Sequence, residues 1–337
     1  MRTRQAAGDE RVSAKPAHAT APPTAPARPA SVHAAIDVGS NSVHLLVAEV
    51  AGARLTPLVD ESTFLGLGDR VRREGTIGEE LTAQLTAAVA AYAATARRLH
   101  ARWIEVVGTE PLRRALDSAR AVHAIEAAVG VPFHVLGHEE EGIATLLGAT
   151  AGRPVTVDTL VVDIGGGSRE FVVLAPGQHP RATGLRLGSA TLSAELVAHD
   201  PPTPGEIGAL LDAAREGLHG APDAHPATVI AVGGTASNLA RITGGESSGA
   251  VLSRADVRAA LDVLAAAPAD ALVARHGLNP VRARILPAGA AIVLALLDRY
   301  RAGEVGVSDA GIREGIVLAI SRAGRAWRDR LEALAAG

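Results

Sequence analysis

One short pattern occurs twice in the chain and constrains its fold more than any other feature. Residues 34–42 read AAIDVGSNS and residues 160–168 read LVVDIGGGS, and a mostly apolar run follows each copy. An apolar run, an acid, a Gly/Ser turn and a second apolar run are typical of a β-hairpin. The two copies lie roughly one domain length apart. The repeat therefore predicts two related α/β lobes with a cleft between them.

Helical and strand patterns alternate along the rest of the chain, which favours the α/β class. Residues 79–99 and 112–129 have helical spacing, and residues 104–107 between them have the character of a strand. Residues 229–232 form another apolar run that leads into a Gly-Gly-Thr turn. These elements are the expected remainder of each lobe.

The predicted domain organisation follows from the repeat and from composition. The first 31 residues are rich in Ala, Pro, Thr and Arg, and such a segment buries too little apolar surface to offset its ordering entropy. The predicted division is a disordered tail at 1–31, an N-terminal lobe at 32–140, a C-terminal lobe at 141–325 and a terminal helix end at 326–337. This last segment could pack against the first lobe.

Composition excludes several classes of function. The chain has no cysteine, which excludes disulfides, thiolate metal sites and cysteine nucleophiles. A formal net charge of −3 gives no overall basic field for nucleic acid, although a cleft can still be locally positive. No apolar run approaches the roughly 18–20 residues of a membrane helix, and no signal core is evident. We expect a soluble cytoplasmic protein with neither nucleic acid nor membrane as partner.

Three Gly/Ser turns at strand ends indicate a phosphate-binding site. Tight turns of this kind present several backbone N–H groups in one concavity, and glycine lets the backbone approach a ligand closely. A single turn is more often an ordinary hairpin turn, but three at equivalent places, two of them beside an aspartate, favour the phosphate interpretation. The candidate substrate-binding residues are Ser40, Asn41, Ser42, Gly165, Gly166, Gly167, Ser168, Gly233, Gly234 and Thr235.

Three acids near these turns are candidate metal ligands. Asp37 and Asp163 end the two repeated strands, and Glu170 begins the strand after the second turn. Carboxylate oxygens suit magnesium, which keeps several waters and is commonly shared with substrate phosphates. An aspartate before glycine is also a common turn former. The repeat favours the metal interpretation.

The general base and a phosphate clamp are less well defined by the residues alone. Residues 137–142 read GHEEEG and open a predicted helix. Acids there stabilise the helix dipole, and one of them could instead activate a water. Arg113 could clamp a phosphate in a bidentate manner or lie in solvent. Two other motif matches are incomplete. HE at 138–139 lacks the second histidine of a zinc motif, and GESSG at 245–249 lacks the preceding strand of a nucleophile elbow.

Taken together, these motifs resemble the exopolyphosphatases and guanosine pentaphosphate phosphohydrolases, a family within the superfamily of actin, sugar kinases and heat-shock chaperone ATPases. The resemblance covers roughly residues 33–325 and implies an actin-like, duplicated two-lobed fold. The motifs that carry it lie at residues 35–42, 109–115, 137–140, 162–168, 187–189 and 232–235.

The resemblance implies roles for individual residues. Glu139 matches the catalytic glutamate that activates water, and Asp37, Asp163 and Glu170 match metal-associated acids. Phosphate contacts are implied for Asn41, Arg113, Gly166, Gly167 and Ser168. The implied cofactor is magnesium, with manganese as an alternative.

The implied activity is hydrolysis of the terminal phosphoanhydride bond of inorganic polyphosphate, in a homodimer. One alternative is a guanosine pentaphosphate 5′-phosphohydrolase, because both activities share the residues named. A second alternative is a non-catalytic regulator that binds phosphate or nucleotide.

Two departures and one missing element distinguish the chain from the family pattern. Arg169 stands where the family usually has threonine, and Pro111 stands where it usually has alanine. Arg169 could add a phosphate contact or point to solvent. The helical domain with an HD-type motif that extends long members beyond the second lobe is not matched. We therefore expect short polyphosphate chains to be handled relatively better than long ones.

Overall fold

The computed structural model describes residues 29–245 and 249–337. Most of the expected tail, at 1–28, and the central part of the GESSG pattern, at 246–248, lie outside these ranges.

The first sheet has five strands in the order β3-β2-β1-β4-β5. An antiparallel meander comes first, with β1 at Ser31–Val38, β2 at Ser42–Ala51 and β3 at Arg54–Phe64. Strand β4, at Trp103–Gly108, then pairs parallel to β1, and β5, at Phe133–Val135, pairs parallel to β4. This arrangement brings the end of β1, with Asp37, to the middle of the sheet.

Five helices accompany the first sheet. They are α1 at Leu67–Glu74, α2 at Glu79–Arg98, α3 at Glu110–Arg114, α4 at Ser118–Val129 and α5 at His138–Ala149. The prediction of one continuous helix over residues 112–129 was wrong, because the chain breaks between α3 and α4. At the break, the Asp117 carboxylate accepts hydrogen bonds from the backbone N–H groups of Ile77 and Gly78 at 2.8 and 2.9 Å. Asp117 therefore joins this break to the start of α2.

The second sheet repeats the topology of the first. Its meander consists of β6 at Thr159–Ile164, β7 at Arg169–Leu174 and β8 at Arg181–Leu185. Strand β9, at Thr228–Val232, pairs parallel to β6 as β4 does to β1. The remaining strands are β10 at Val251–Ser253 and β11 at Glu304–Ser308, and the full order is β10-β11-β9-β6-β7-β8. The predicted duplication of an α/β lobe is confirmed.

Helices of the second half cover this sheet and return to the first. They are α6 at Ser189–Leu196, α7 at Pro204–Glu216, α8 at Gly234–Ile242, α9 at Arg254–Ala266, α10 at Ala269–His276, α11 at Pro280–Arg299, α12 at Ile312–Ala323 and α13 at Leu331–Ala336, with a 3-10 turn at Gly324–Ala326. Helix α11 is long and apolar enough to cross a membrane by length and composition, so the expectation that no apolar run approaches the length of a membrane helix was wrong. Inside the structure 72% of its apolar window is buried.

Helices α5 and α12 form the layer between the two sheets. One apolar cluster joins Leu146 of α5 and Ile316 of α12 to Leu46 of the first sheet and Val172 of the second. Helix α12 contacts α5, β1 and β2, and Trp327 beyond it is buried in the same cluster. Because α5 and α12 contact each other and both sheets, this layer fixes the position of one lobe relative to the other. The predicted lobe boundaries stay predictions.

Candidate active site

The turns that follow β1 and β6 both line a cleft of about 490 Å³. Asp37 and Asp163 each lie one residue before the end of their strands, β1 and β6, and both line the cleft. Of the ten predicted substrate-binding residues, nine line it: Ser40, Asn41, Ser42, Gly165, Gly166, Gly167, Ser168, Gly233 and Gly234. The duplicated pattern therefore predicts which parts of the chain meet.

Thr235 is the exception among the predicted substrate-binding residues. Its side chain is buried, and its hydroxyl donates a hydrogen bond to the carbonyl oxygen of Ile164 at 3.2 Å. Thr235 therefore ties α8 to the end of β6 and is not among the cleft-lining residues.

Two glycines permit the close approach of the backbone at this site. Gly233 has a φ of 95°, and a Cβ placed on it would lie 2.9 Å from Asp163 Oδ1. A Cβ on Gly188 would lie 1.8 Å from the carbonyl oxygen of Gly166. The start of α6 can therefore pack directly against the Gly165–Ser168 turn only because residue 188 has no side chain.

Asp37 and Asp163 are half-buried acids with few partners. Asp37 Oδ1 has no hydrogen-bond partner within 29–245 and 249–337, while Asp163 Oδ2 accepts from the Thr145 hydroxyl at 3.5 Å. Burial raises the pKa of Asp37 to about 7, and nearby Arg313 partly opposes that rise. Burial likewise raises the pKa of Asp163 to about 6. A cation bound here could be coordinated by Asp37 Oδ1 and would favour the ionised forms of Asp37 and Asp163.

A second group of side chains surrounds Arg113. Arg113 donates hydrogen bonds to Glu141 at 2.5 Å and to the carbonyl oxygen of Leu136 at 2.8 Å. Its Nη2 lies 3.6 Å from Glu170 Oε1 and 3.1 Å from His138 Nδ1. The sequence predicted Arg113 as a phosphate clamp, but in the structure it is not among the cleft-lining residues and pairs with the acids instead.

Glu141 and Glu170 are buried carboxylates in this group, and both line the cleft. Burial and the neighbouring Glu170 raise the pKa of Glu141 well above its usual range, while Arg113 favours its ionised form. Burial and the charge of Asp163 raise the pKa of Glu170 to about 8. Ligand atoms of His138, Glu141 and Glu170 lie within 4.8 Å of one another. Proton-accepting groups are therefore concentrated at the start of α5.

The structure places Glu139 outside the cleft. Its side chain is exposed on the first turn of α5 and is not part of the cleft wall. Glu141, two residues later, lies where the sequence analysis expected Glu139. The cause is helical phase: Glu141 lies one turn before Thr145, whose hydroxyl reaches Asp163. A spacing of four residues between an acid and a polar residue in an otherwise apolar helix was the available signal.

Other cleft residues were missed by the sequence analysis. Arg282 on α11 and Arg313 on α12 line the cleft, and burial lowers the pKa of Arg282. Among the described residues, three guanidinium groups and eight carboxylates line it, namely Arg241, Arg282, Arg313, Asp37, Asp60, Glu110, Glu141, Asp163, Glu170, Asp309 and Glu314. A polyanion enters such a cleft readily only with cations that offset the excess of acids.

Arg169 takes neither of the positions considered for it. Its side chain is 0% exposed, and Nε, Nη1 and Nη2 have no hydrogen-bond partner in the part of the chain that the structure describes. Burial lowers the pKa of Arg169 to about 9. The residue is therefore held inside the second lobe behind the Gly165–Ser168 turn.

Comparison with known proteins gives a consistent assignment. The model of the Ppx/GppA phosphatase family matches residues 46–322. Exopolyphosphatase 2 of Mycobacterium tuberculosis is 30% identical over 319 residues, covering 86% of this chain and 98% of that protein. The uncharacterized protein SCO0757 of Streptomyces coelicolor is also 30% identical, over 306 residues, covering 87% of this chain and 91% of that protein.

The fold has a solved counterpart. The crystal structure of the Aquifex aeolicus member of the Ppx/GppA family superposes with a TM-score of 0.79 at 24% identity, covering 88% of this chain and 99% of that chain. A nucleoside triphosphate hydrolase of Neospora caninum has a TM-score of 0.54 at 10% identity, over 91% of this chain and 95% of its own. These likenesses, together with the duplicated sheets, establish the actin-like fold.

Proposed function

The chain belongs to the Ppx/GppA phosphatase family and is a phosphoanhydride hydrolase, and from this premise we propose that it is an exopolyphosphatase that releases orthophosphate from the ends of inorganic polyphosphate. The observation that carries the proposal is Glu141, a buried carboxylate held by Arg113 in a cleft between two phosphate-binding turns. The Mycobacterium tuberculosis relative named exopolyphosphatase 2 supports the choice of substrate.

A divalent cation is part of the proposal, magnesium with manganese as an alternative. Asp37 and Asp163 are its proposed ligands, with Glu170 as a third. Two observations support this set: Asp37 Oδ1 has no hydrogen-bond partner in the part of the chain that the structure describes, and carboxylates outnumber arginines in the cleft. Once bound, the ion would neutralise charge on the transferring phosphoryl group.

In the proposed reaction Glu141 acts as the general base and Arg113 as its positioning residue. Glu141 takes a proton from a water while the water oxygen attacks the terminal phosphorus. The bond from that phosphorus to the bridging oxygen breaks, and the electron pair leaves with the shortened chain. Arg282 and the backbone N–H groups of the two turns stabilise the charge that develops on the phosphoryl oxygens.

The decisive experiment compares two neighbouring glutamates. Phosphate release is measured with magnesium from medium-length polyphosphate and from guanosine pentaphosphate, with wild type, Glu141→Gln and Glu139→Gln. We expect polyphosphate to be preferred, Glu141→Gln to lower kcat by about 100-fold or more, and the exposed Glu139→Gln to keep nearly full activity.

Each other outcome has a defined meaning. Preference for guanosine pentaphosphate, with the same loss in Glu141→Gln, assigns the 5′-phosphohydrolase activity to the same site. Loss of activity in Glu139→Gln alone makes Glu139 the base and overturns the role of Glu141. A folded wild-type protein that hydrolyses neither substrate supports a non-catalytic regulator that binds phosphate or nucleotide.

A cytoplasmic location and a homodimer are further parts of the proposal. Light scattering on the purified full-length chain tests the dimer directly, and a monomeric mass at micromolar concentration would contradict it.

A further inference from the structure

The two phosphate-binding turns touch each other and divide the space between the lobes. A Cβ placed on Gly166 would lie 3.0 Å from Asn41 Nδ2, and one on Gly167 would lie 3.1 Å from Ser40 Oγ. Beyond this contact lies an outer chamber of about 720 Å³. The cleft and the outer chamber share five lining residues, which we call the septum: Ser40, Asn41, Glu110, Gly166 and Gly167.

The two spaces differ in charge. Within residues 29–245 and 249–337, eight carboxylates and three arginines line the cleft. The outer chamber has the opposite balance, with five arginines and three carboxylates, namely Arg70, Arg72, Arg73, Arg114, Arg284, Asp69, Glu80 and Glu110. A linear polyanion is therefore attracted to the outer chamber without the cations that the cleft requires.

Glu110 is the charged member of the septum. It is 5% exposed, its Oε2 accepts from the Ser40 hydroxyl at 3.4 Å, and a Cβ on Gly167 would lie 2.7 Å from that same oxygen. Its other oxygen pairs with Arg114 at 2.9 Å, a side chain 38% exposed toward the outer chamber. A carboxylate therefore lies between two turns whose backbone N–H groups suit phosphate, where a passing phosphate would meet a like charge.

We propose that Glu110 is a specificity-determining residue that limits the length of substrate this enzyme accepts. The inference rests on the proposed polyphosphatase function. A short chain fits within the cleft on one side of the septum. A long chain must continue past Glu110 to reach the arginines of the outer chamber, so the carboxylate disfavours long chains relative to short ones.

The test measures kcat/KM for tripolyphosphate and for long-chain polyphosphate, and the quantity compared is the long-to-short ratio. Glu110→Gln keeps the shape of the side chain and removes its charge, and Glu110→Ser also removes its bulk. Glu80→Gln is the matched control, because it removes the same charge from the exposed wall of the outer chamber. We expect the ratio to rise about tenfold in both Glu110 variants and less than about twofold in the control.

An unchanged or lower ratio in folded Glu110→Gln overturns the proposal, and so does an equal rise in Glu80→Gln. Loss of hydrolysis of both substrates in Glu110→Gln would place Glu110 in the catalytic machinery and also overturn it. If wild type hydrolyses neither substrate, the proposed function fails separately. In that case calorimetry measures the affinity of wild type and of Glu110→Gln for the same two polyphosphates. The ratio of long-chain to short-chain affinity then decides the role of the septum.

Discussion

Gly315 of α12 lies directly against the backbone of Ala144 of α5, since a Cβ placed on Gly315 would be 1.8 Å from the carbonyl oxygen of Ala144. The contact is reciprocal: a Cβ on Gly148 of α5 would lie 2.0 Å from the carbonyl oxygen of Gly311. Helix α5 carries Glu141 and α12 carries Arg313, and both residues line the cleft. The spacing of the two helices therefore sets the positions of cleft residues from both.

Gly315→Ala is expected to destabilise the protein by about 3 kcal/mol, because the methyl group forces the two helices apart in a close-packed layer. Gly208→Ala is the matched control. Gly208 lies within α7, and a Cβ there meets no atom within 4 Å, so the higher helix propensity of alanine should stabilise the protein by up to about 1 kcal/mol. Urea unfolding of the three proteins measures both changes. Equal stability of the two variants would contradict the close helix contact.

The duplicated fold was predictable because its signals are local. The strand, acid and turn at Asp37 and again at Asp163 occupy a few consecutive residues, and strand pairing follows from them with little choice. Arg282 and Arg313 lie far along the chain from both turns, in helices with no unusual pattern. Only the packing of α11 and α12 brings these two arginines to the cleft, so no local signal identifies them.

The position of the proposed base was harder to predict than the helix that carries it. The run of acids at Glu139, Glu140 and Glu141 predicts a helix start whichever of them points inward. The phase depends on what α5 packs against, and that is decided by α12 and by both sheets. Glu140 shows the difference, because its carboxylate accepts from the N–H of Gly137 at 3.0 Å and pairs with Arg328.

Arg328→Met is expected to lower kcat by up to about fivefold while KM stays nearly constant. Arg328 donates to Glu140 Oε1 from Nε at 2.9 Å and from Nη2 at 2.6 Å, so it braces the first turn of α5 that carries Glu141. The pair is partly exposed, which limits its energy to about 1 kcal/mol. Steady-state kinetics on polyphosphate measures the effect, and Arg328→Lys should restore part of kcat.

The control for that measurement is Arg325→Met. Arg325 belongs to the same C-terminal segment but stacks over the ring of Trp103 at 5.5 Å. An equal loss of kcat in both variants would indicate a general loosening of the segment and would contradict a specific role for Arg328.

Glu105→Gln is expected to raise the melting temperature at pH 8 and to have little effect near pH 4. Burial of Glu105 on β4 raises its pKa from 4.5 to about 7. The native state therefore holds this proton more tightly than the unfolded state, and the resulting stability is lost as pH rises from about 4.5 through about 7. The glutamine variant lacks this dependence. Thermal melts of both proteins from pH 4 to 8 test it, and a constant difference across that range would contradict the shifted pKa.

Asp37→Asn is expected to abolish stabilisation by magnesium without destabilising the metal-free protein. The substitution removes a half-buried carboxylate that we propose as a metal ligand, and whose Oδ1 has no hydrogen-bond partner among the described residues. Wild type should melt at a higher temperature with saturating magnesium than with a chelator, since a ligand at about 100 times its Kd adds about 2.7 kcal/mol. Asp60→Asn is the control, because Asp60 also lines the cleft but is half exposed and pairs with Arg313. A magnesium response kept in Asp37→Asn, or lost equally in Asp60→Asn, would move the metal site away from Asp37.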